Sequence, residues 1–145
     1  MTPVPSIKCI LLDAGGVLYL NKEDNGYVNE PLIDFVKAHQ GQYKFGVISD
    51  TKYDLKRILK DDGISHLFEL VLTSEETGKE KTDPEIYTEA VEQLAFKPQE
   101  VLLIDNTKEF TEAAEKDGLE AILYTGIKKC LAELKTICNN SIICN

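Results

Sequence analysis

The sequence predicts a single α/β domain in which a parallel sheet of about five strands carries helices on both faces. The chain has 145 residues, 43% of them apolar, which suffices for one domain with one substantial core. Short apolar segments without polar alternation follow one another along the chain, separated by segments with helical spacing. Uninterrupted apolar runs are typical of strands buried on both faces. Their alternation with helices favours right-handed crossovers between parallel strands.

Each element is predicted from its local pattern. The strand-like segments are residues 7–13, 44–49, 68–72, 101–105 and 120–124. The helical segments are residues 31–38, 53–60, 84–94, 109–116 and 127–137. Asp83 and Thr107 are placed to cap the helices that follow them, with Pro84 at a first helical position, and Gly118 is placed to end a helix.

The predicted domain covers residues 1–145, with a core over residues 6–126 and a C-terminal tail over residues 137–145. The tail, "ICNNSIICN", is compatible with a frayed end or with a last short strand. No internal repeat or low-complexity tract divides the chain.

Charge and hydropathy exclude several classes of function. The chain has 16 basic and 25 acidic residues, a net charge of −9, so we expect no attraction to nucleic acid. It contains neither a secretory leader nor an apolar run long enough to span a membrane, which predicts a soluble cytoplasmic protein. The four cysteines have no CxxC spacing, and Cys9 lies in the first apolar run, where a thiol packs as a small apolar group.

Polar residues follow the predicted strands at the points where they end. Asp13 ends the first strand, Ser49 and Asp50 follow the second, Asp105 ends the fourth, and Lys81 precedes a helix. Because ligands of open α/β sheets bind outside the carboxyl ends of the strands, we expect these side chains to converge. Carboxylates, a hydroxyl and an ammonium are the groups that phosphoryl transfer with Mg²⁺ requires.

These stretches resemble the motifs of the haloacid dehalogenase-like hydrolases, a family composed mostly of phosphatases. "ILLDAGGVL" resembles the first motif, with Asp13 as nucleophile, and "FGVISDT" resembles the second, with the Ser49 hydroxyl and the Asp50 backbone amide binding phosphate. "GKEKTDPEIY" is similar to the third and places Lys81 at its lysine. "VLLIDNTKEFTEAAEKDG" resembles the fourth, with Asp105 as metal ligand. The resemblance extends over residues 6–126 and implies a Rossmann-like fold.

The resemblance implies a Mg²⁺-dependent phosphatase that acts through an aspartyl-phosphate on Asp13. The metal would be held by Asp13, the Gly15 carbonyl and Asp105, while Ser49 and Lys81 would hold the transferring phosphoryl oxygens.

Four positions depart from the family pattern. Gly15 stands where the phosphatases usually have a second aspartate, the general acid and base, whose loss removes a contribution of about 10² to 10⁴-fold. Asp50 replaces a common asparagine, Asn106 a frequent acidic residue, and Phe110 a frequent asparagine. These changes weigh against turnover but leave the predicted fold unaffected.

The sequence also predicts that the site has no cap domain. Only 25 residues, 19–43, separate the first motif from the second strand, and eight, 73–80, separate the third strand from Lys81. Neither connection can hold a domain. We therefore expect an open site, which suits a bulky phosphorylated substrate or a lid from a second subunit.

Two alternatives remain at this stage. A catalytically weak binding or regulatory protein on the same fold is favoured by Gly15, Asp50 and Asn106. A carbon–halogen hydrolase would use Asp13 without a metal, but Asp105 and the missing cap count against it.

Overall fold

The chain forms a five-stranded parallel sheet, as the sequence predicts. The computed structural model describes residues 6–20, 26–50 and 54–142, with side chains as far as Ile137. The sheet strands are β1 (Cys9–Asp13), β4 (Lys44–Ser49), β5 (Leu70–Thr73), β6 (Val101–Asp105) and β7 (Glu120–Leu123). They lie in the order β5-β4-β1-β6-β7, so β1 is central and its two neighbours come from distant parts of the chain.

Helices cover both faces of the sheet. They are α1 (Glu30–Ala38), α2 (Leu55–Asp61), the short α3 (Ser74–Thr77), α4 (Pro84–Leu94), α5 (Lys108–Lys116) and α6 (Ile127–Ile142). Buried side chains of α1, α2 and α6 pack in one core layer, and those of α4 and α5 pack in a second. Along β1, Ile10 and Leu12 belong to the first layer, whereas Cys9 and Leu11 belong to the second, as the two-residue period of a strand requires. The central strand therefore contributes to both layers.

The strands at the two edges differ from the continuously buried strands that the sequence predicts. Every residue of β1 and β6 is buried, but Leu70 and Val71 of β5 are half-exposed, and Glu120 and Leu123 of β7 are exposed. An edge strand has a neighbour on one side only, so some of its residues lack the cover that the central strands receive.

A two-stranded antiparallel hairpin and one short helix are additions to the predicted elements. Strand β2 (Tyr19–Leu20) pairs with β3 (Tyr27–Val28), and both are too short to produce a periodic pattern. Helix α3 occupies the connection between β5 and Lys81. The described parts of the two connections in which a cap could be inserted therefore hold a hairpin and two helices, and no further domain.

The C-terminal segment is more helical than predicted. Helix α6 runs to Ile142, whereas the sequence pattern ended it at residue 137 and left a tail or a strand. Residues 138–142 contain neither glycine nor proline, so no local signal ends the helix there. Residues 143–145 lie outside the described part of the chain, as does Tyr53 at the predicted start of α2.

No helix among the described residues is long and apolar enough to cross a membrane. Cys9 and Cys130 are buried free thiols, and burial raises the pKa of each to about 12.

Candidate active site

Two carboxylates stand side by side where the central strands end. The parallel register of β1 and β6 pairs Leu12 with Ile104, so the next residues, Asp13 and Asp105, follow on neighbouring strands. Both residues are buried: Asp13 is 7% exposed and Asp105 is fully enclosed. Placing two acidic groups together in a poorly solvated position is unfavourable unless a cation meets them.

Lys81 supplies that cation. Its Nζ lies 2.8 Å from Asp13 Oδ1 and forms a second ion pair with Asp105 Oδ2. The lysine side chain is 1% exposed, which is rare for this residue type unless it is paired. Asp13, Lys81 and Asp105, far apart in sequence, thus form one contiguous charge cluster.

The backbone of Lys81 is fixed on both sides of the residue. Its N–H donates to Asp50 Oδ1 at 3.3 Å, and its C=O accepts from the Tyr87 hydroxyl at 2.8 Å. The Phe110 ring lies over the ammonium, with its centroid 4.8 Å from Nζ. The side chain of the lysine and its backbone are therefore both anchored before any ligand arrives.

Burial dominates the electrostatics of Asp105. Desolvation raises the pKa of its carboxyl, and the charge of Lys81 and the N–H of Thr107 oppose this rise. The Thr107 N–H donates to Oδ1 at 3.0 Å, although the Thr107 hydroxyl makes no capping bond to α5. Oδ2 is enclosed, and besides the Lys81 ammonium no described group donates a hydrogen bond to it.

The chain turns tightly after Asp13. Gly16 has φ +87°, a left-handed conformation that strains any other residue, and a Cβ there would also require the Asn106 side chain to move. The Gly16 N–H donates to the Tyr19 C=O, and the Tyr19 N–H donates to the Ala14 C=O. Gly15, which lies between Ala14 and Gly16, is half-exposed, and neither of these hydrogen bonds uses its carbonyl.

Ser49 and Asp50 end the neighbouring strand. In the register of β1 and β4, Asp13 pairs with Ile48, so Ser49 comes one residue later, and it is 3% exposed. Asp50 is exposed and turns its carboxylate to the backbone of Lys81. The structure thus brings all the residues selected from the sequence to one edge of the sheet, with Asp13, Lys81 and Asp105 in direct contact.

The donor set suits a small divalent cation. Asp13 and Asp105 both contact one ammonium, so a single ion can reach both carboxylates. No group of three or more histidine, cysteine or acidic residues that could hold a metal occurs among the described residues. Mg²⁺ is usually bound by one or two carboxylates and keeps several waters, so two aspartates are enough protein ligands for it.

Tyr87 is a residue of this site that the sequence did not reveal. It is fully buried, and burial raises the pKa of its hydroxyl, which therefore stays protonated and donates to Lys81. In the sequence, Tyr87 is one more apolar position of α4, and no pattern shows where its hydroxyl points.

The chain is similar to hydrolases of known family. The sequence model of the family described as haloacid dehalogenase-like hydrolase matches residues 28–124, a segment that begins after Asp13. A phosphorylated carbohydrates phosphatase of Thermotoga maritima is 30% identical over 103 residues, which are 71% of this chain and 46% of that protein. The chain spans 33% to 46% of the length of the curated relatives that it matches.

Solved structures share the fold. A hydrolase from Streptococcus pneumoniae superimposes with a TM-score of 0.77 at 16% identity, covering 90% of this chain and 99% of that one. An enzyme of the same family from Bacteroides thetaiotaomicron, in complex with magnesium and inorganic phosphate, superimposes with a TM-score of 0.69 at 17% identity, covering 80% and 93%.

Replacement of Lys81 should destabilise the metal-free protein strongly. Lys81→Met leaves two neighbouring carboxylates without their cation, and breaking a buried ion pair in this way costs about 3–5 kcal/mol of unfolding free energy. Lys8→Met is the matched control, because Lys8 pairs with Glu100 at 2.6 Å but is 56% exposed, and such a pair contributes about 1 kcal/mol or less. Urea denaturation in the presence of a chelator measures the free energy of unfolding of both variants. An equal loss of unfolding free energy in the two variants would contradict the structural role of Lys81.

Proposed function

The chain belongs to the haloacid dehalogenase-like hydrolases, and from that premise we propose that it hydrolyses phosphate monoesters with Asp13 as the nucleophile, in a Mg²⁺-dependent reaction. The observation that carries this proposal is the pairing of Asp13 with the buried ammonium of Lys81. The ammonium orients the Asp13 carboxyl group at the strand end, as a nucleophile requires.

The Asp13 side chain retains access to solvent. It is 10% exposed, whereas Lys81 and Asp105 behind it are 1% and 0% exposed. A substrate that approaches the cluster therefore meets Asp13 first. One carboxylate oxygen attacks phosphorus, the bond from phosphorus to the ester oxygen breaks, and water later releases phosphate from the aspartyl-phosphate.

Ser49 and Asp50 would bind the phosphoryl group. The Ser49 hydroxyl is a donor at the end of β4, and the backbone N–H of Asp50 follows it. Lys81 would neutralise charge on a phosphoryl oxygen while keeping Asp13 in place. Fixed donors of this kind stabilise a transition state without reorganisation at the moment of reaction.

Asp13, Asp105 and the Gly15 carbonyl would hold Mg²⁺. When bound, the ion supplies positive charge that neutralises the phosphoryl oxygens. Asp105 is suited to this role because Oδ2 has no described hydrogen-bond donor apart from the Lys81 ammonium.

Gly15 leaves the site without an acid at the usual position. A departing alkoxide must then take its proton from water, which is slow unless the leaving group is already acidic. Because the described connections contain no cap, we also propose that the site is open and accepts a bulky phosphorylated substrate. The similarity to a phosphatase of phosphorylated carbohydrates supports a phosphate ester as the substrate class.

The second candidate is a binding protein without turnover. The observation that favours it is the engagement of Lys81 by both carboxylates, which leaves its ammonium enclosed. Phosphate could then bind at the rim of the site near Asp50 without displacing these contacts.

Turnover of phosphate esters tests the proposal directly. We expect hydrolysis of an activated aryl phosphate in the presence of Mg²⁺, no hydrolysis with a chelator, and loss of activity in Asp13→Asn. Asp34→Asn is the control, since Asp34 is exposed on α1 and belongs to none of the motifs that form the site. Metal-independent hydrolysis of a haloacid would favour the carbon–halogen alternative, and absence of turnover would favour the binding protein.

Magnesium affinity provides a test that does not depend on turnover. We expect calorimetric titration to detect Mg²⁺ binding to the native protein and to Asp34→Asn, and at least tenfold weaker binding to Asp105→Asn. The physical reason is that the amide keeps the shape of the carboxylate but lacks the charge that attracts a hard cation. Equal affinity in Asp105→Asn and the native protein would rule out the proposed metal position.

Restoring a carboxyl group at residue 15 should change leaving-group selectivity. Gly15 is half-exposed and is not among the described glycines with positive φ, so no left-handed backbone conformation opposes a side chain there. We expect Gly15→Asp to raise the rate on an alkyl phosphate by up to about 10² to 10⁴-fold and to alter the aryl rate much less.

Glycine-to-alanine substitution at the same residue is the control for this change. Gly15→Ala adds a side chain without an acid, so it should leave the ratio of alkyl to aryl rates at the native value. Melting curves of both variants establish that they are folded. An unchanged ratio in folded Gly15→Asp would show that the missing acid does not limit the reaction.

A further inference from the structure

Asn29 is a buried polar residue that lies outside every motif of the sequence. It precedes α1 at the N-cap position and is 2% exposed. Asparagine at this position normally caps its own helix by accepting a backbone hydrogen bond with its side-chain oxygen. Here the side chain makes no such bond. Helix capping therefore does not account for its amide.

The side chain of Asn29 reaches two other segments instead. Its Nδ2 donates to the Val17 C=O at 2.8 Å and to the Tyr124 hydroxyl at 3.1 Å. Its backbone N–H donates to the Leu18 C=O at 2.8 Å. Because a backbone carbonyl can only accept, the NH₂ group and not the oxygen of the amide must face Val17.

Val17 and Leu18 belong to the loop that follows Asp13. The Leu18 N–H donates to the Asp13 C=O at 3.2 Å, which folds this loop back onto the end of β1. Consecutive carbonyls of the loop, those of Val17 and Leu18, are thus bound by one residue 11 to 12 positions further along the chain. The bonds of Asn29 restrain the same loop that contains the Gly15 carbonyl.

We propose that Asn29 is a positioning residue, which holds the loop of residues 14–18 in the conformation that presents the Gly15 carbonyl beside Asp13. The inference rests on the proposed function only in assigning that carbonyl to the metal. The statement that the Asn29 amide fixes the loop does not depend on the proposed function. Residues that orient the ligands of a metal typically change its affinity by 10- to 100-fold when they are replaced.

Two substitutions separate the two hydrogen bonds of the amide. Asn29→Asp keeps the size of the side chain but directs a carboxylate at the Val17 carbonyl, while the Tyr124 hydroxyl can still donate to it. Tyr124→Phe removes the other partner and leaves the bond to Val17 intact. Val91→Ala, in the core layer on the opposite face of the sheet, is the control for a general loss of stability.

Amide hydrogen exchange measured by NMR tests whether the Asn29 amide fixes the loop of residues 14–18. In Asn29→Asp we expect the N–H groups of Gly16, Leu18 and Tyr19 to lose at least tenfold in protection, while Val47 in β4 retains its protection. In Tyr124→Phe and Val91→Ala, the protection of the loop and the protection of β4 should change by the same factor. Native protection of the loop in Asn29→Asp would overturn the proposal.

Magnesium affinity tests the consequence for the site. We expect the dissociation constant for Mg²⁺, measured by calorimetry, to rise about tenfold in Asn29→Asp and to stay within about twofold in Tyr124→Phe and Val91→Ala. Loss of loop protection with unchanged affinity would overturn the positioning role. If the native protein binds no Mg²⁺, the proposed function fails, and hydrogen exchange alone then decides whether Asn29 fixes the loop.

The native protein provides a measurement that requires no variant. The side-chain NH₂ of Asn29 should exchange at least tenfold more slowly than that of Asn106, which is exposed. Equal exchange of the two amides would show that the Asn29 bonds are not formed, and would overturn the proposal even if Asn29→Asp does not fold. If only the charge prevents folding, Asn29→Ala replaces Asn29→Asp in both experiments.

Discussion

The ammonium of Lys81 is the group on which the arrangement of the site depends. It is enclosed with Asp13 and Asp105, and its charge opposes the rise that burial causes in the pKa of the Asp105 carboxyl. Two carboxyl groups thus contact one ammonium in this cluster. The same two carboxyl groups are the ones that we propose as metal ligands.

Neutral groups fix the position of that ammonium. The Tyr87 hydroxyl binds the carbonyl of Lys81, and the Phe110 ring lies beside its Nζ. The Asp50 carboxylate accepts a hydrogen bond from the backbone N–H of Lys81, which gives a structural reason for a carboxylate at residue 50. The departure of Asp50 from the family pattern therefore coincides with an added constraint on Lys81.

The curated relatives are longer than this chain. The chain spans less than half the length of the curated proteins that it matches, and its described residues contain the sheet, its helices and one small hairpin. The fold of the described residues matches almost the whole of one solved hydrolase chain, which is covered over 99% of its length.

The sequence by itself determined the fold class, the central strands and the residues that end them. Runs such as "VLLID" are specific because a strand buried on both faces leaves no room for polar alternation, and its last residue must be the one that meets solvent or a ligand. The edge strands, the hairpin and the C-terminal end of α6 were harder to predict. Residues of an edge strand are exposed because the strand lacks a neighbouring strand on one side. A two-residue strand is too short to show a hydrophobic period.

Only the tertiary structure decided which of these residues touch and what holds them. The ion pairs of Lys81 join residues 68 and 24 positions apart, and the bond between Asn29 and Tyr124 joins residues 95 positions apart. Local patterns report the periodicity of burial, but the partner of a hydroxyl or an amide depends on which strands become neighbours. Asp13 and Asp105 were recognisable in the sequence because they end apolar runs. The partners of Tyr87 and Asn29, six and 95 residues away, follow no periodic pattern and are seen only in the structure.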